Sequence, residues 1–464
     1  MMPEIVGLSA RVGALMSPPG DGPSEINTEL QKSRKSTQRE RLLYGMIEAA
    51  NRAGYARANV SAVIAEAGVS RPTFYEYFAD KDECFCAAIE AAGKPLIERV
   101  RANVRDAAPE LALQASVEAL IRFTSEEPVL ARFLMNEPMG AGAAALDARD
   151  QGIVAIERLT QTRYKRADQS ALAPDFSPRM IIGGIYRLLS PRLRRADPKI
   201  SALLPDLLRW VESYDQPISS HQWRSLKLAP RSPRSPFVPE ASLQPPPPFP
   251  RGRLRLAEGE IAENQRQRIM FAAARLAQDK GYNTTTMNEI TKQAGVDGRA
   301  FYAMFADKQE AFMAVHELGS QHVMEVTANA FFSGATWPER SWEAGRAFTQ
   351  FLEMNPLVAN VGFIEAYAVG PGAVQRVEDS HMAFAMLLQE GYRLMSPEDR
   401  PSRMVLETII ATIFEMIYWR VRGGTATRLS GLIPHLTFLV LSPFIGPVDA
   451  NSFIEEKLAA SSKS

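Results

Sequence analysis

The residues of this chain best equipped for chemistry are binding groups, and they come in matched sets. Arg71, Tyr75 and Lys81 place a guanidinium, a phenol and an ammonium within eleven residues. Arg299, Tyr302 and Lys308 place the same three groups within ten, far down the chain. A phenol donates to an anionic oxygen, an ammonium acts as a point charge, and a guanidinium offers a fork of donors to paired acceptors. So spaced, they hold a partner and do not break bonds in one. The five histidines (His221, His316, His322, His381 and His435) are scattered, with no HExxH, no GxSxG and no phosphate-cradling glycine loop. No catalytic centre, metal site or cofactor is expected, and the chain is not read as an enzyme. Cys84 and Cys86 are the two cysteines. Two residues apart on a helix they face different ways and do not readily bridge, which suits thiols in a reducing compartment.

Both sets sit in a stretch that is written twice. Residues 67–81 read AGVSRPTFYEYFADK and residues 294–308 read AGVDGRAFYAMFADK, nine of fifteen positions being identical at an offset of 227. So long an interval means two copies of a whole domain, not a short solenoid unit. The elements that must position the groups can be read around each copy. A first helix, 37–53, carries Leu42, Met46, Ile47 and Ala50 at helical spacing and stops at Gly54; its copy carries Ile269, Ala273, Ala274 and Ala277 and stops at Gly281. The second helix starts after Asn59 or Thr286, both good N-caps, and Thr286 with Glu289 forms a capping box. Gly68-Val69 and Gly295-Val296 make the turn. Ser70 and Asp297 then cap a third helix whose Phe74 and Phe78, or Phe301 and Phe305, face the core one turn apart. Helix, tight turn and helix is a helix-turn-helix, and its second helix is a candidate for a DNA groove.

The remainder reads as helix. Apolar residues recur at three- and four-residue spacing near 81–105, 110–126, 128–137, 144–167, 178–195 and 199–214. The plan repeats near 308–333, 338–354, 356–369, 373–395, 400–422 and 428–446, and PVLARFLMNE (128–137) answers PLVANVGFIE (356–365). The expected fold class is all-α, in two tandem halves. The expected domains are a flexible extension at 1–30, a helix-turn-helix domain at 31–85, a helical domain at 86–228, a linker at 229–257, a second helix-turn-helix domain at 258–312 and a second helical domain at 313–464. Residues 230–250 hold nine prolines; such a stretch favours polyproline II and could span up to about 65 Å, far enough for the halves to lie side by side in either order.

Net charge is zero, with 53 basic and 53 acidic residues. Residues 31–81 nevertheless carry a net +4 and residues 251–308 a net +3, so the basic excess gathers on and before the repeated stretches. Lys32, Arg34, Lys35, Arg39 and Arg41 could form an arm along phosphates. No run of eighteen apolar residues and no cleavable leader pattern is present, so a soluble cytoplasmic protein without membrane contact is expected.

The order of helix, Asn/Thr cap, AGV turn and FY-x-x-F-x-x-K into a long helix resembles the tetracycline-repressor (TetR) family of bacterial regulators. Each motif covers about 50 residues, and the helical remainder of each half fits that family's ligand and dimer domain. The resemblance implies double-stranded DNA as partner, with the third helix in the major groove. Carried over by position, Tyr75 and Lys81, and Tyr302 and Lys308, would contact phosphates. Ser70, Arg71, Pro72, Thr73, Glu76 and Tyr77 would lie at base edges or nearby, with Asn59, Val60 and Ser61 beside them. In the second copy those places belong to Gly298, Arg299, Ala300, Ala303 and Met304, with Thr286, Met287 and Asn288. An arginine at the leading end of such a helix can pair with guanine O6 and N7. Asp297, where the first copy has Ser70, would repel a phosphate, so the second reader either prefers another sequence or is silent. The persistence of Tyr302, Lys308 and the basic lead-in favours another preference.

Family members act as two-fold dimers on palindromes. One chain with two unlike copies is therefore expected to form an intramolecular pseudo-dimer, with helices near 178–214 packed on those near 400–446 and the readers about 34 Å apart on an imperfect palindrome. A homodimer is the alternative assembly. The resemblance also implies repression relieved by a small-molecule effector of unknown identity. Its pocket is expected in the second half, where Phe331, Phe332, Trp342, Phe348, Phe351, Phe363, Tyr367 and Phe384 concentrate aromatic surface, with Glu365 and His381 as polar handles. The competing function is a helical ligand- or partner-binding module in which one or both helix-turn-helix units no longer bind DNA.

Overall fold

The computed structural model describes residues 37–166, 177–214, 243–248 and 258–461. It divides into two compact units, residues 1–217 and 218–464. Every regular element among the described residues is helical. Unit 1 runs α1 (Gln38–Ala53), α2 (Val60–Ala67), α3 (Arg71–Tyr77), α4 (Lys81–Asp106), α5 (Ala112–Glu126), α6 (Pro128–Asn136), α7 (Ala143–Arg166), α8 (Pro178–Arg194) and α9 (Leu204–Glu212). Unit 2 runs α10 (Glu258–Lys280), α11 (Met287–Ala294), α12 (Gly298–Tyr302), α13 (Lys308–Phe331), α14 (Trp337–Met354), α15 (Pro356–Phe363), α16 (Pro371–Met382), α17 (Ala385–Leu388), α18 (Arg403–Arg422), α19 (Ile433–Ile445) and α20 (Pro447–Ser461).

The caps act where the chain needs them. Thr37 and Glu40 form a reciprocal capping box at the start of α1, as Thr286 and Glu289 do at α11. In each unit the first helix lies on the long fourth helix and on the short sixth one, so the three-helix head and the body share a core. The residues expected to face inward do so: Leu42, Met46, Ile47 and Ala50 are fully buried, and Ile269, Ala274 and Ala277 match them.

The body of unit 2 departs from the simple helical plan in several places. The segment expected as one helix over 373–395 is α16, α17 and a 3-10 stretch, Gln389–Leu394. The cause is Trp337: its indole N–H donates to the Leu387 carbonyl at 3.4 Å, and its ring lies so close to Gly391 that an added Cβ would stand 2.7 Å from it. A regular helix would not present that carbonyl and that bare backbone together. The helix expected over 356–369 ends at Phe363 and continues as a 3-10 turn, Glu365–Ala368, and α20 extends the fold beyond 446. The apolar stretch Ala426–Ile445 is 78% buried inside unit 2, where it serves as core.

Part of the expected linker is fixed. The Leu243 N–H donates to Asn355 Oδ1 at 2.6 Å, and Asn264 Nδ2 donates to the Pro247 carbonyl at 3.1 Å. Residues 243–248 therefore belong to the surface of unit 2. The extension at 1–30, the arm residues Lys32, Arg34 and Lys35, and the rest of the proline-rich stretch lie outside the described residues.

Two buried histidines make unit 2 acid-sensitive. Burial holds His316 and His435 down at about 4, with the positive charge of Arg376 and of Arg420 acting the same way. An unfolded imidazole titrates near ~6.5, so the unfolded chain binds more protons between that value and about 4. Their contribution is complete above the unfolded pKa and is lost as pH falls through this window, by up to about 1.4 kcal/mol per pH unit for each histidine. Urea midpoints measured from pH 7 to 4 should fall, and His316→Gln should remove about half of this histidine-linked slope. An unchanged slope in that variant would mean that His316 is not buried as a neutral ring.

Candidate nucleic-acid interface and effector cavity

Each head presents a short helix held from beneath by two phenylalanines. Phe74 and Phe78, 5.8 Å apart, are buried under α3, and Phe301 and Phe305, also 5.8 Å apart, are buried under α12. The turn before them needs a left-handed residue, and Gly68 (φ 61, ψ 41) and Gly295 (φ 62, ψ 41) supply it without steric cost. With the apolar side fixed, the opposite side faces outward: Tyr75 is 51% exposed and Tyr302 65%. Arg71, Pro72, Glu76 and Tyr77 are exposed, as are Gly298, Arg299 and Ala303. Thr73, Ala300 and Met304 are half-buried at the edge of the same surface.

The exposed groups are pre-set by local bonds. Arg71 donates to Ser61 Oγ at 3.0 Å, which lays the guanidinium along the start of α2. Ser70 Oγ accepts the Thr73 N–H at 3.3 Å and lies 2.8 Å from Thr73 Oγ1. Asn59 Oδ1 accepts the Ala62 N–H at 3.0 Å. In the second head Asp297 Oδ1 accepts the Ala300 N–H at 2.7 Å, so that carboxylate is engaged as a cap. The second reading helix is shorter, five residues against seven, and Ala303 and Met304 fall in the turn after it. Gly298 opens α12, and glycine costs a helix about 1 kcal/mol relative to alanine.

The lysines do not stand with the tyrosines. Lys81 Nζ donates to the Tyr55 carbonyl at 3.4 Å and lies 4.0 Å above the Tyr55 ring. Lys308 Nζ donates to the Tyr282 carbonyl at 3.1 Å and the Thr285 carbonyl at 2.9 Å, 4.4 Å above the Tyr282 ring. Burial lowers the pKa of both lysines. Lys81 and Lys308 were expected at phosphates; in this structure each ammonium turns back onto the loop between the first two helices.

That loop is gripped from the body as well. Glu137 Oε2 accepts the Tyr55 N–H at 2.9 Å, and Glu365 Oε2 accepts the Tyr282 N–H at 2.9 Å. Burial raises both carboxyls, while the bond to the backbone N–H and nearby arginines (Arg132 and Arg194 for Glu137, Arg422 for Glu365) oppose the rise. The tyrosine rings pack on Phe85 at 4.7 Å and on Phe312 at 5.1 Å, and burial pushes the Tyr282 phenol up to about 12. Glu365, expected as a polar handle for a ligand, here ties the body to the loop of the head. Glu137, Tyr55 and Tyr282 were missed as functional residues, although the matched NE and IE endings of 128–137 and 356–365 and the two Gly-Tyr pairs marked them.

Unit 2 also contains a cavity of about 70 Å³ bounded by α13, α14, α17, α18 and α19. Phe331, Phe348 and Phe384, expected in an aromatic pocket, line it together with Phe414. Of the five residues singled out for the pocket, none lines it. Trp342 is buried against Phe453, 6.3 Å between centroids. Phe363 and His381 stand behind the wall, stacked on Phe414 at 5.3 and 3.8 Å. Tyr367 and Glu365 lie in the 3-10 turn after α15. Helical periodicity does not say which side of a doubly buried helix meets empty space.

The two heads coincide with two matches to one family model, "Bacterial regulatory proteins, tetR family", at residues 47–88 and 269–315. The HTH-type transcriptional regulator AcrR of Shigella flexneri is 36% identical over 75 residues, 16% of this chain and 35% of that protein. The HTH-type transcriptional activator FasR of Mycolicibacterium smegmatis is 26% identical over 134 residues, 28% of this chain and 61% of that protein. The chain thus spans about a third and three-fifths of the lengths of these curated relatives. The fatty acid degradation regulator FadR of Bacillus halodurans overlays with a TM-score of 0.33 and 16% identity, covering 37% of this chain and 96% of that one. A tetR-family match thus falls on each of the two helix-turn-helix heads, and the chain carries two TetR-type heads in tandem, one opening each half.

Proposed function

We propose that the chain is a transcriptional repressor whose two heads bind an imperfect palindromic operator as a pseudo-dimer within one chain, and that a small molecule in unit 2 releases it. The observation that carries this reading is the pairing of identical scaffolds with unlike outward faces. Phe74/Phe78 and Phe301/Phe305, the left-handed glycines and the exposed tyrosines match. Arg-Pro-Thr at 71–73 and Gly-Arg-Ala at 298–300 do not. Scaffold retention keeps each helix presentable, and divergence at the face alters what it reads.

Release has a physical route. A cavity of about 70 Å³ is well below the ~300 Å³ of ordinary ligand pockets, so an entering ligand must displace wall side chains. Phe414 is one of them, and Phe363 is stacked on it two residues before Glu365. Glu365 in turn holds the Tyr282 N–H, the hinge of the second head.

Purified protein selecting from a random DNA pool should recover a site with two unlike halves. Arg71→Ala should relax base preference in one half and Arg299→Ala in the other, each by about 1–3 kcal/mol at the contacted position; a site whose halves respond alike refutes two distinct readers. Light scattering should return the mass of one chain when free and of one chain plus one operator when bound, and two chains per particle exclude the single-chain pseudo-dimer. Tyr75→Phe should weaken DNA binding about five-fold with little change in unfolding temperature. Lys81→Met should do the reverse, lowering the unfolding temperature while the dependence of affinity on salt stays as it was. A salt slope reduced by about one unit would put Lys81 on a phosphate after all.

A further inference from the structure

The wall of the unit 2 cavity is apolar apart from two hydroxyls, those of Thr327 and Ser341. Thr327 Oγ1 is engaged, donating to the Val323 carbonyl at 2.5 Å. Ser341 Oγ is buried and has no hydrogen-bond partner. A buried hydroxyl left unpaired is destabilising, so the site holds one unsatisfied polar position amid apolar surface. The charged groups beside the lining residues in sequence are engaged: Arg340 pairs with Glu390 at 2.6 Å, Arg346 pairs with Glu343 at 3.1 Å, and Glu415 accepts from the Trp419 indole at 3.0 Å.

The internal repeat gives an independent reading of the same place. Aligning α6 with α15 sets Ser341 opposite Leu113 and Gly345 opposite Val117. Leu113 and Val117 are fully buried in unit 1. At Gly345, by contrast, an added Cβ would meet nothing within 4 Å. The first half fills with side-chain volume what the second leaves as space with one hydroxyl at its edge.

We propose that this cavity binds an uncharged, largely apolar ligand carrying one hydrogen-bonding group that meets Ser341 Oγ, and that the second half, not the first, is the sensing half. The assignment rests on the effector reading above for its effect on DNA, though not for binding itself. An ionised group inside the cavity would lose its hydration and gain no counter-charge, whereas a neutral hydroxyl or carbonyl would satisfy the one open position. The ligand's body must be compact, a ring or a short chain, because the walls have to yield to admit it.

The test uses the full chain with three probes of one shape: toluene, benzyl alcohol and benzoate at pH 8, followed by calorimetry and by the unfolding temperature. Toluene and benzyl alcohol should bind saturably and raise the unfolding temperature, the alcohol about five-fold tighter; benzoate should not bind. Ser341→Ala should bring the alcohol down to the level of the hydrocarbon. Gly345→Val, which installs the residue found in unit 1, should abolish both while the unfolding temperature holds or rises, since valine suits a helix better than glycine. If that variant fails to fold, Gly345→Ala adds one methyl group to the open space and should weaken both probes. Benzoate binding tighter than the alcohol would overturn the proposal and make Arg340 a ligand counter-ion. So would binding untouched by either Gly345 substitution, or no binding by any probe. Probes that bind as described but leave operator affinity unchanged uphold the site and refute the effector reading.

Discussion

The backbone of a single residue in each half ties the reading head to its body. The Tyr55 N–H is taken by Glu137 and its carbonyl by Lys81; the Tyr282 N–H is taken by Glu365 and its carbonyl by Lys308. Both bonds are charge-assisted, the kind worth about 1.5–3 kcal/mol each where water is excluded. The carboxylate comes from the end of the sixth helix in unit 1 and its counterpart in unit 2, the ammonium from the first residue of the long helix, and the peptide from the loop after the first helix. Three elements far apart in sequence meet on one residue. These bonds act beside the shared core of head and body, tying the loop after the first helix to the end of the sixth helix.

The clamp is the same in both halves while their bodies are not. Asn51 of α1 adds a bond to the Val129 carbonyl in unit 1, at 3.0 Å, and unit 1 closes its interior with Leu113 and Val117. Unit 2 carries Ser341 and Gly345 in those places and stacks Phe363, His381 and Phe414 between its cavity and its clamp. A duplicated domain freed of the need to sense in both copies can pack one of them shut. On the proposed reading, the packed half would supply a rigid reader and the open half the element whose equilibrium a ligand can bias. Such a division suits one chain, because two identical subunits would have to share one interior.

Most of the fold was legible in the sequence because its signals are local. Capping residues Asn59, Ser70, Thr286 and Asp297, the left-handed glycines and the Phe pairs each act within a turn or two, and a repeat at constant offset doubles each signal. Legibility failed where the deciding contact is long-range. That Trp337 would break the helix near 385 depends on a carbonyl fifty residues away. That Lys81 and Lys308 would fold inward depends on two backbone carbonyls of another loop, and a lysine at a helix start looks the same in sequence whichever way it turns. The five expected pocket residues fall outside this cavity for a related reason. Aromatic content located the right unit, and Phe331, Phe348 and Phe384 do line the space, yet which face of α14 meets the cavity is settled by what the neighbouring helices leave out.

Asp297 is the position at which sequence and structure bear most directly on whether the second head reads DNA. As an uncommitted carboxylate on the outward face it would repel a phosphate, by an amount of order 1 kcal/mol at contact distance in water. Its Oδ1 accepts the Ala300 N–H at 2.7 Å, however, so part of its charge is directed into the helix end it caps, where a negative group is favoured. Ser70 does the same work in the first head with a neutral hydroxyl at 3.3 Å. The exchange of serine for aspartate thus strengthens the cap of a helix that is two residues shorter and opens on glycine. An aspartate at this position is explained by the needs of α12 itself, and it is compatible with a head that still docks through the exposed Tyr302 and Arg299.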